Sequence, residues 1–216
     1  MNSRAILVSD DRSSLRSPDT LLWPDAACMR GIHTGEWTAH IFEYAMSFEG
    51  NMTQVRELAA ANGVGVLHPH GALATDPPGL VVCDVDSTVT RTEAIDLLAE
   101  CAGNADEVRE ITARAMVGEL DFTQSLYARV RCLEGLHIGA LEEAWKATVI
   151  TPGTAELVAA AHDVGAAVGL VSGGFTAIVD PLAEQIRADF AASNELEIVD
   201  NHLTGRVVGD IIDRAA

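Results

Sequence analysis

Two apolar runs that each end in polar residues dominate the hydrophobic pattern of the chain. Leu80-Val81-Val82-Cys83 precedes Asp84 and Asp86, and residues 166–171 precede Ser172 and Gly173. Short, continuously apolar runs are typical of strands that are buried on both faces of a parallel sheet. Because ligands bind at the carboxyl ends of such strands, we expect the chemistry of this protein at their shared edge.

The residues between these two runs have a helical pattern. Spacing and capping signals predict four helices, of which the first begins with Thr90-x-x-Glu93 and the third is capped by Asp121. The predicted helices cover residues 93–100, 104 or 105 to 118, 121–133 and 138–147. Four helices are too many for one strand-to-strand crossover, so we expect a separate helical cap over the site.

The pattern after the cap predicts more α/β structure. Thr151-Pro152 is typical of a helix start, residues 175–188 form a further predicted helix, and residues 195–208 alternate around a turn at Asp200. The predicted fold class is α/β, a Rossmann-like parallel sheet with an inserted helical-bundle cap. We assign residues 76–91 and 150–216 to the core and residues 92–149 to the cap.

Residues 1–75 form a different pattern. Strands are predicted over residues 5–8, 37–48 and 64–67, and a helix over residues 52–61. This part of the chain is therefore predicted to be a small α/β module that ends at the linker Asp76-Pro77-Pro78-Gly79. Its role is not evident from the sequence.

Charge and cysteine content narrow the class of protein. Among 216 residues, 14 Lys+Arg against 32 Asp+Glu give a net charge of 14 − 32 = −18. Such a charge argues against binding to nucleic acid or to an anionic membrane surface. The four cysteines are widely spaced, and no signal peptide or transmembrane run is evident, so we expect a reduced cytoplasmic protein.

The residues after the first apolar run are suited to phosphoryl transfer. A covalent mechanism needs a carboxylate nucleophile, a second carboxyl that protonates the leaving alcohol, and a cation such as Mg²⁺. Asp84 and Asp86 supply the carboxyl groups, and Ser87 and Thr88 supply hydroxyls that either hold phosphate oxygens or buttress the loop. Taken alone, the motif is equally compatible with a turn that caps the next helix.

Several motifs together resemble the phosphoserine phosphatases of the haloacid dehalogenase (HAD) superfamily. They are the sequence Asp84-x-Asp86-Ser87-Thr88, the pair Glu93-x-x-Asp96, the sequence Ser172-Gly173-Gly174-Phe175, and residues 118–122 and 193–197. The resemblance covers about residues 80–216. It implies a HAD-like fold and Mg²⁺-dependent hydrolysis of O-phospho-L-serine, the last step of serine biosynthesis, through an aspartyl-phosphate.

The resemblance also implies residue roles. Asp84 would be the nucleophile and a Mg²⁺ ligand, and Asp86 the general acid/base and a Mg²⁺ ligand through its carbonyl. The implied substrate contacts are Glu93 to the ammonium, Arg129 to the carboxylate, Ser172 and Gly173 to the phosphate, and Met116 and Phe122 in closure. A substrate with an ammonium and a carboxylate needs one acidic and one basic partner besides the catalytic pair.

Each of these substrate contacts has a structural alternative. Glu93 would complete a capping box with Thr90, and Ser172 would cap the following helix. Met116 and Phe122 would be ordinary core residues of the cap. Arg129 shares a helical face with Phe122, Leu126 and Leu133, and would otherwise extend to solvent.

The C-terminal residues depart from the family pattern. The phosphate-binding lysine of the family and its last aspartate motif have no counterpart here, and Lys146, in the cap, is the only lysine. We therefore expect a C-terminally truncated relative with weak or no activity alone. Two alternatives stay open: a related phosphatase or phosphotransferase, and a non-catalytic ligand-binding or regulatory fragment whose N-terminal module mediates assembly. The assembly that we consider is a homodimer.

Overall fold

The computed structural model describes residues 3–9, 27–33, 38–44, 52–69 and 71–213. The chain divides into two compact units, Met1–Pro77 and Pro78–Ala216. None of the described helices is long and apolar enough to cross a lipid bilayer.

The first unit contains an antiparallel sheet and one helix. Its strands are β1 (Ser3–Ser9), β2 (Ala27–His33), β3 (Thr38–Tyr44) and β4 (Gly65–Leu67), in the order β2-β3-β1-β4, and helix α1 spans Met52–Ala61. Helix α1 matches the predicted range, and the structure adds β2, which the sequence pattern did not predict. Part of the predicted strand over residues 37–48 lies outside the described residues.

The sheet of the second unit is mostly parallel. Its order is β5 (Leu80–Cys83), β6 (Ala167–Phe175), β7 (Phe190–Val199) and β8 (His202–Val208). The β5-β6 and β6-β7 pairs are parallel, and β7-β8 is antiparallel. Asp200 and Asn201 both have positive φ, as a tight hairpin turn requires, so the predicted turn is confirmed.

Four consecutive helices follow β5 where the pattern predicted four, and a fifth helix, described below, precedes β6. The four are α2 (Ala94–Ala102), α3 (Ala105–Met116), α4 (Phe122–Arg131) and α5 (Gly139–Ala147). Gly103 ends α2 in the left-handed conformation with φ of 72°. Asp121 caps α4 by accepting a hydrogen bond from the backbone N–H of Gln124, whose side chain accepts one from the N–H of Asp121.

Two further helices flank β6 in the chain: α6 (Thr154–Asp163) precedes it and α7 (Thr176–Ile186) follows it. The predicted helix start at Thr151-Pro152 is wrong, because α6 begins after Gly153. The hydroxyl of Thr151 donates to the Thr88 carbonyl at 2.8 Å and its N–H to the Val89 carbonyl at 2.8 Å. Thr151 therefore stabilises the loop after β5 by hydrogen bonds and does not cap a helix.

The apolar interior of this unit has two parts. One packs the inward faces of α2 to α5 against Phe175 and Ile178. The other packs one face of β5 and β6 against α6 and α7, with Val168, Leu170 and Leu182 fully buried. Leu80 and Val82 of β5 are about half exposed, so the expected burial of this strand on both faces is wrong. The carboxyl ends of β5 and β6 lie where these two parts meet, since Val85 belongs to one and Phe175 to the other.

Candidate active site

The chain turns sharply after β5, within residues 84–90. Ser87 has a φ of 57°, in the left-handed region that non-glycine residues rarely adopt. The backbone N–H of Thr90 closes the turn by donating to the Val85 carbonyl at 2.9 Å. Asp84 and Asp86 consequently both line one cavity.

The two hydroxyls of this turn hold carboxylates. Thr88 Oγ1 donates to Asp84 Oδ2 at 2.8 Å, and Ser87 Oγ donates to Glu93 Oε1 at 2.9 Å. The sequence left two roles open for these hydroxyls, holding phosphate oxygens or supporting the loop. In the structure they support the loop. Each hydroxyl restricts the orientation of one acidic side chain at the cavity.

Asp86 has a partly buried carboxyl with hydrogen-bond partners on both oxygens. Oδ1 accepts the backbone N–H of Ala94, the first residue of α2, at 2.9 Å, and Oδ2 lies 3.5 Å from the donating hydroxyl of Ser172. Burial raises the pKa of Asp86, and the charges of Glu93 and Asp84 raise it further, while the two hydrogen bonds act in the opposite direction. A carboxyl with a raised pKa is suited to donating a proton near neutral pH.

The glycines after Ser172 allow close approach of other side chains. A Cβ on Gly174 would lie 2.6 Å from Asp86 Oδ2, and one on Gly173 would lie 2.8 Å from the Phe122 ring. Ser172 itself is buried, and its Oγ accepts the Gly174 N–H at 2.8 Å. Because α7 begins at Thr176 with Phe175 as its N-cap, the alternative of Ser172 as a helix cap is wrong.

The cavity that these groups surround has a volume of about 200 Å³. The loop after β5 and the end of β6 form one side, and residues from the helical segment form the other. The lining residues are Asp84, Asp86, Glu93, Ile95, Phe122, Leu126, Arg129, Gly173, Gly174 and Phe175.

Arg129 is the cation of this cavity. Its Nε donates to the Ser125 carbonyl at 3.4 Å, and the guanidinium forms no ion pair with any residue that the structure describes. Burial lowers the pKa of Arg129, and the charges of Glu93, Asp96 and Asp86 oppose that shift. Guanidinium stays protonated in proteins, so a positive charge faces the cavity.

Two of the structural alternatives for the site residues are wrong. Met116, at the end of α3, is 82% exposed, so it is not a core residue, and it does not line the cavity, because α3 packs inward through Val108 and Ile111. The alternative of a capping box between Thr90 and Glu93 is wrong as well. The Thr90 hydroxyl donates to the carbonyls of Val85 and Thr92, while Glu93 accepts from Ser87.

Sequence reasoning gave no individual role to Asn194. This residue is 1% exposed, and its Nδ2 donates to the Gly173 carbonyl at 3.0 Å. The available sequence signal for Asn194 was its position as a polar residue directly before the alternating segment 195–208.

The donor atoms at the edge of the sheet suit a hard cation. Mg²⁺ is commonly bound by one or two carboxylates, with water and substrate phosphate completing the coordination. Asp84 lines the cavity with a carboxylate, and the backbone carbonyl of Asp86, on the same turn, is a further oxygen donor. Within the described ranges, no group of three His, Cys, Asp or Glu side chains forms a metal cluster. The residues present therefore fit a Mg²⁺ ion that has few protein ligands.

Comparison with known proteins finds relatives that share one name. A phosphoserine phosphatase of Streptomyces coelicolor is 50% identical over 157 residues, which are 73% of this chain and 38% of that protein. A phosphoserine phosphatase of Lactococcus lactis is 45% identical over 136 residues, 63% of each chain. This chain thus spans less than two thirds of either relative.

A solved structure extends the likeness to most of the chain. The unliganded structure of a probable phosphoserine phosphatase from Vibrio cholerae has a TM-score of 0.73 and 32% identity, and the match covers 97% of this chain and 64% of that one. The family model of the haloacid dehalogenase-like hydrolases matches residues 81–216. The chain therefore belongs to the haloacid dehalogenase-like hydrolases.

Proposed function

We propose that the cavity binds O-phospho-L-serine and that the reaction is its Mg²⁺-dependent hydrolysis to L-serine and phosphate. The observation that supports this most is that one acidic residue, Glu93, and one basic residue, Arg129, line the cavity that also contains Asp84 and Asp86. The names of the relatives agree with this substrate. The described cysteines are free thiols, which agrees with a cytoplasmic enzyme of serine biosynthesis.

The three charged groups of phosphoserine have complementary partners. In this proposal the ammonium pairs with Glu93, the carboxylate with Arg129, and the phosphate lies at the Ser172-Gly173 edge. Charge-assisted hydrogen bonds of this kind contribute about 1.5–3 kcal/mol each. The bond from Ser87 to Glu93 and the partial burial of Arg129 orient both partners before the substrate arrives.

The first step transfers the phosphoryl group to the protein. A carboxylate oxygen of Asp84 attacks phosphorus, and the bond between phosphorus and the seryl oxygen breaks. The electron pair of that bond remains on the seryl oxygen, which takes the proton of Asp86. The raised pKa of Asp86 supports this role, because it increases the fraction of the acid form.

The second step releases phosphate. Asp86, now ionised, accepts a proton from a water molecule that attacks phosphorus, and the bond between phosphorus and Asp84 breaks to restore both side chains. A bound Mg²⁺, held by the Asp84 carboxylate and the Asp86 carbonyl, would neutralise negative charge between the phosphate and the nucleophile.

We also expect slow turnover by these 216 residues. Arg129 is the one Lys or Arg among the lining residues that the structure describes, against the carboxylates of Asp84, Asp86 and Glu93. Lys146 is 73% exposed and lies 3.5 Å from Glu142 on the same helix. With no Lys or Arg of the described residues assigned to the phosphate, Mg²⁺ alone would offset the repulsion between the Asp84 carboxylate and a phosphate dianion.

The substrate assignment is tested by phosphate release in long incubations with Mg²⁺, comparing L-phosphoserine with phosphoethanolamine, which has no carboxylate. Arg129→Ala is expected to lower kcat/KM for L-phosphoserine by about tenfold to a hundredfold and to leave phosphoethanolamine nearly unaffected. Arg131→Ala, on the exposed side of the same helix, is the matched control. Equal losses on both substrates would contradict the role of Arg129, and no release from L-phosphoserine above an Asp84→Asn background would contradict the function.

A further inference from the structure

The strand that ends at the candidate phosphate loop has an irregular partner register. Val171 pairs with Ala192 and Phe175 pairs with Asn194, so residues 172–174 of β6 face the single residue Ser193 of β7. A bulge of this kind removes backbone groups from the hydrogen-bond ladder. The peptide groups of the loop therefore need other partners.

Side chains hold both ends of one peptide unit in this bulge. The Gly173 carbonyl accepts Asn194 Nδ2 at 3.0 Å, and the N–H of the same peptide, on Gly174, donates to Ser172 Oγ at 2.8 Å. The hydroxyl of Ser193 is buried and makes no hydrogen bond to any described residue, so it does not share this task. Asn194 is thus the side chain that satisfies the Gly173 carbonyl.

The Asn194 side chain also forms hydrogen bonds to the segment after β8. Asn194 Oδ1 accepts the Ile212 N–H at 2.9 Å, and Nδ2 also lies 3.4 Å from the Ile212 carbonyl. This is the reciprocal pairing that two peptide groups form in a sheet. The neighbouring Ile211 packs against the core, which anchors this segment.

We propose that Asn194 is a positioning residue for phosphate binding: it holds the Gly173–Gly174 peptide in one orientation and couples residues 210–213 to the phosphate loop. Asn194 does not line the cavity, whereas Gly173 does, so the bond directs the Gly173 carbonyl away from the cavity. A carbonyl oxygen turned toward a phosphate would repel it. A peptide between two glycines rotates readily, because neither residue has a Cβ to restrict it.

This inference rests on the proposed function, since it assumes that the loop receives the phosphate of the substrate. Its test uses Asn194→Leu, which removes the amide at similar size and without new charge. The matched control is Asn104→Leu, because Asn104 Nδ2 likewise donates to a backbone carbonyl, that of Cys132 at 2.6 Å, in the helical segment. The measurements are hydrogen exchange of the Gly174 amide, and the Kd of inorganic phosphate with Mg²⁺ by calorimetry.

In Asn194→Leu we expect about tenfold faster exchange of the Gly174 amide and about tenfold weaker phosphate binding, while Asn104→Leu changes neither. Phosphate affinity in Asn194→Leu within about twofold of that in Asn104→Leu would overturn the inference, as would a wild-type protein that binds no phosphate. If Asn194→Leu does not fold, Ile212→Pro is the second variant, because it removes the N–H that Asn194 Oδ1 accepts and leaves the Asn194 side chain in place. Weaker phosphate binding in that variant supports the coupling, and unchanged binding overturns it.

The same measurements separate this inference from the proposed function. A wild-type protein that binds phosphate but releases none from L-phosphoserine contradicts the function. The Asn194 inference is then still decided by the phosphate affinities of the variants.

Discussion

At the scale of single residues, Asp86 shows a conflict between stability and chemistry. Its carboxyl is partly buried, and the charges of Glu93 and Asp84 disfavour its ionised form. An arrangement of this kind destabilises the folded chain at neutral pH and is typical of functional sites. The amide of Ala94 offsets part of that cost by hydrogen bonding to Oδ1.

Because the ionised Asp86 carboxyl destabilises the folded state, we predict that Asp86→Asn raises the midpoint temperature of thermal unfolding at pH 7. The folded pKa of Asp86 is raised, so the folded state binds the proton more tightly, and the stability of the wild type falls as pH rises from the unfolded pKa through the folded one. Asn retains an acceptor for the Ala94 N–H and has no charge, so the variant avoids that loss. The gain is expected to shrink as pH falls toward the ordinary aspartate pKa.

Thermal unfolding between pH 4 and 8 measures this effect, with Asp106→Asn as the control, because the Asp106 side chain is 95% exposed. A stability gain of Asp86→Asn that is equal at all these pH values would show that ionisation of Asp86 is not its cause.

The sequence predicted a part of the site at this scale. Asp84 and Asp86 follow an apolar strand, and Arg129 interrupts an apolar helical face, so local pattern alone indicated them. The exposure of Met116 could not be predicted, because it depends on which face of α3 packs inward. Asn194 on β7 contacts Gly173 of β6 and Ile212. Such contacts are distant in sequence, so no local sequence pattern indicates them.

At the scale of elements, helix α4 is the one that presents Phe122, Leu126 and Arg129 to the cavity. Its N-terminus is fixed by the reciprocal bonds between Asp121 and Gln124, at 2.7 and 3.0 Å. These bonds satisfy N–H groups that have no partner within the helix. The position of the Arg129 guanidinium thus depends partly on a cap two turns away.

We predict that Asp121→Ala lowers the free energy of unfolding by about 1 kcal/mol, the usual cost of losing an N-cap. Urea unfolding checks this value. Asp106→Ala is the control, since the pair of Asp106 with Arg109 is exposed and is expected to contribute only about 0.3–0.5 kcal/mol. Equal losses in both variants would mean that the capping box contributes no more than a surface ion pair.

The elements were mostly predictable where strong local signals exist. Gly103 and Asp121 marked helix ends, and the turn at Asp200 marked the hairpin. Strand β2 was missed because Ala27–His33 has no clear alternation and is defined by its pairing with β3. The start of α6 was misplaced because Thr151 bonds to the loop after β5, which is a tertiary interaction.

At the scale of the whole molecule, the predicted HAD-like α/β fold class is confirmed by the match of the family model over residues 81–216 and by the likeness to a solved structure. The order of β5 to β8 brings two strand ends together, as the two apolar runs predicted. The assignment of residues 92–149 to a separate cap stays a prediction. The net charge of −18 opposes the approach of an anionic ligand, so among the described lining residues Arg129 is the side chain that attracts one.

The most direct test of the account is to trap the phosphorylated protein. The chain is mixed with L-phosphoserine and Mg²⁺, quenched in acid and digested, and the peptides are analysed by mass spectrometry. The account predicts one phosphoryl group on Asp84, absent from Asp84→Asn and accumulating in Asp86→Asn, because the second step needs Asp86 as a base. Phosphate release that proceeds equally in Asp84→Asn, or a phosphoryl group on any other residue, would contradict it.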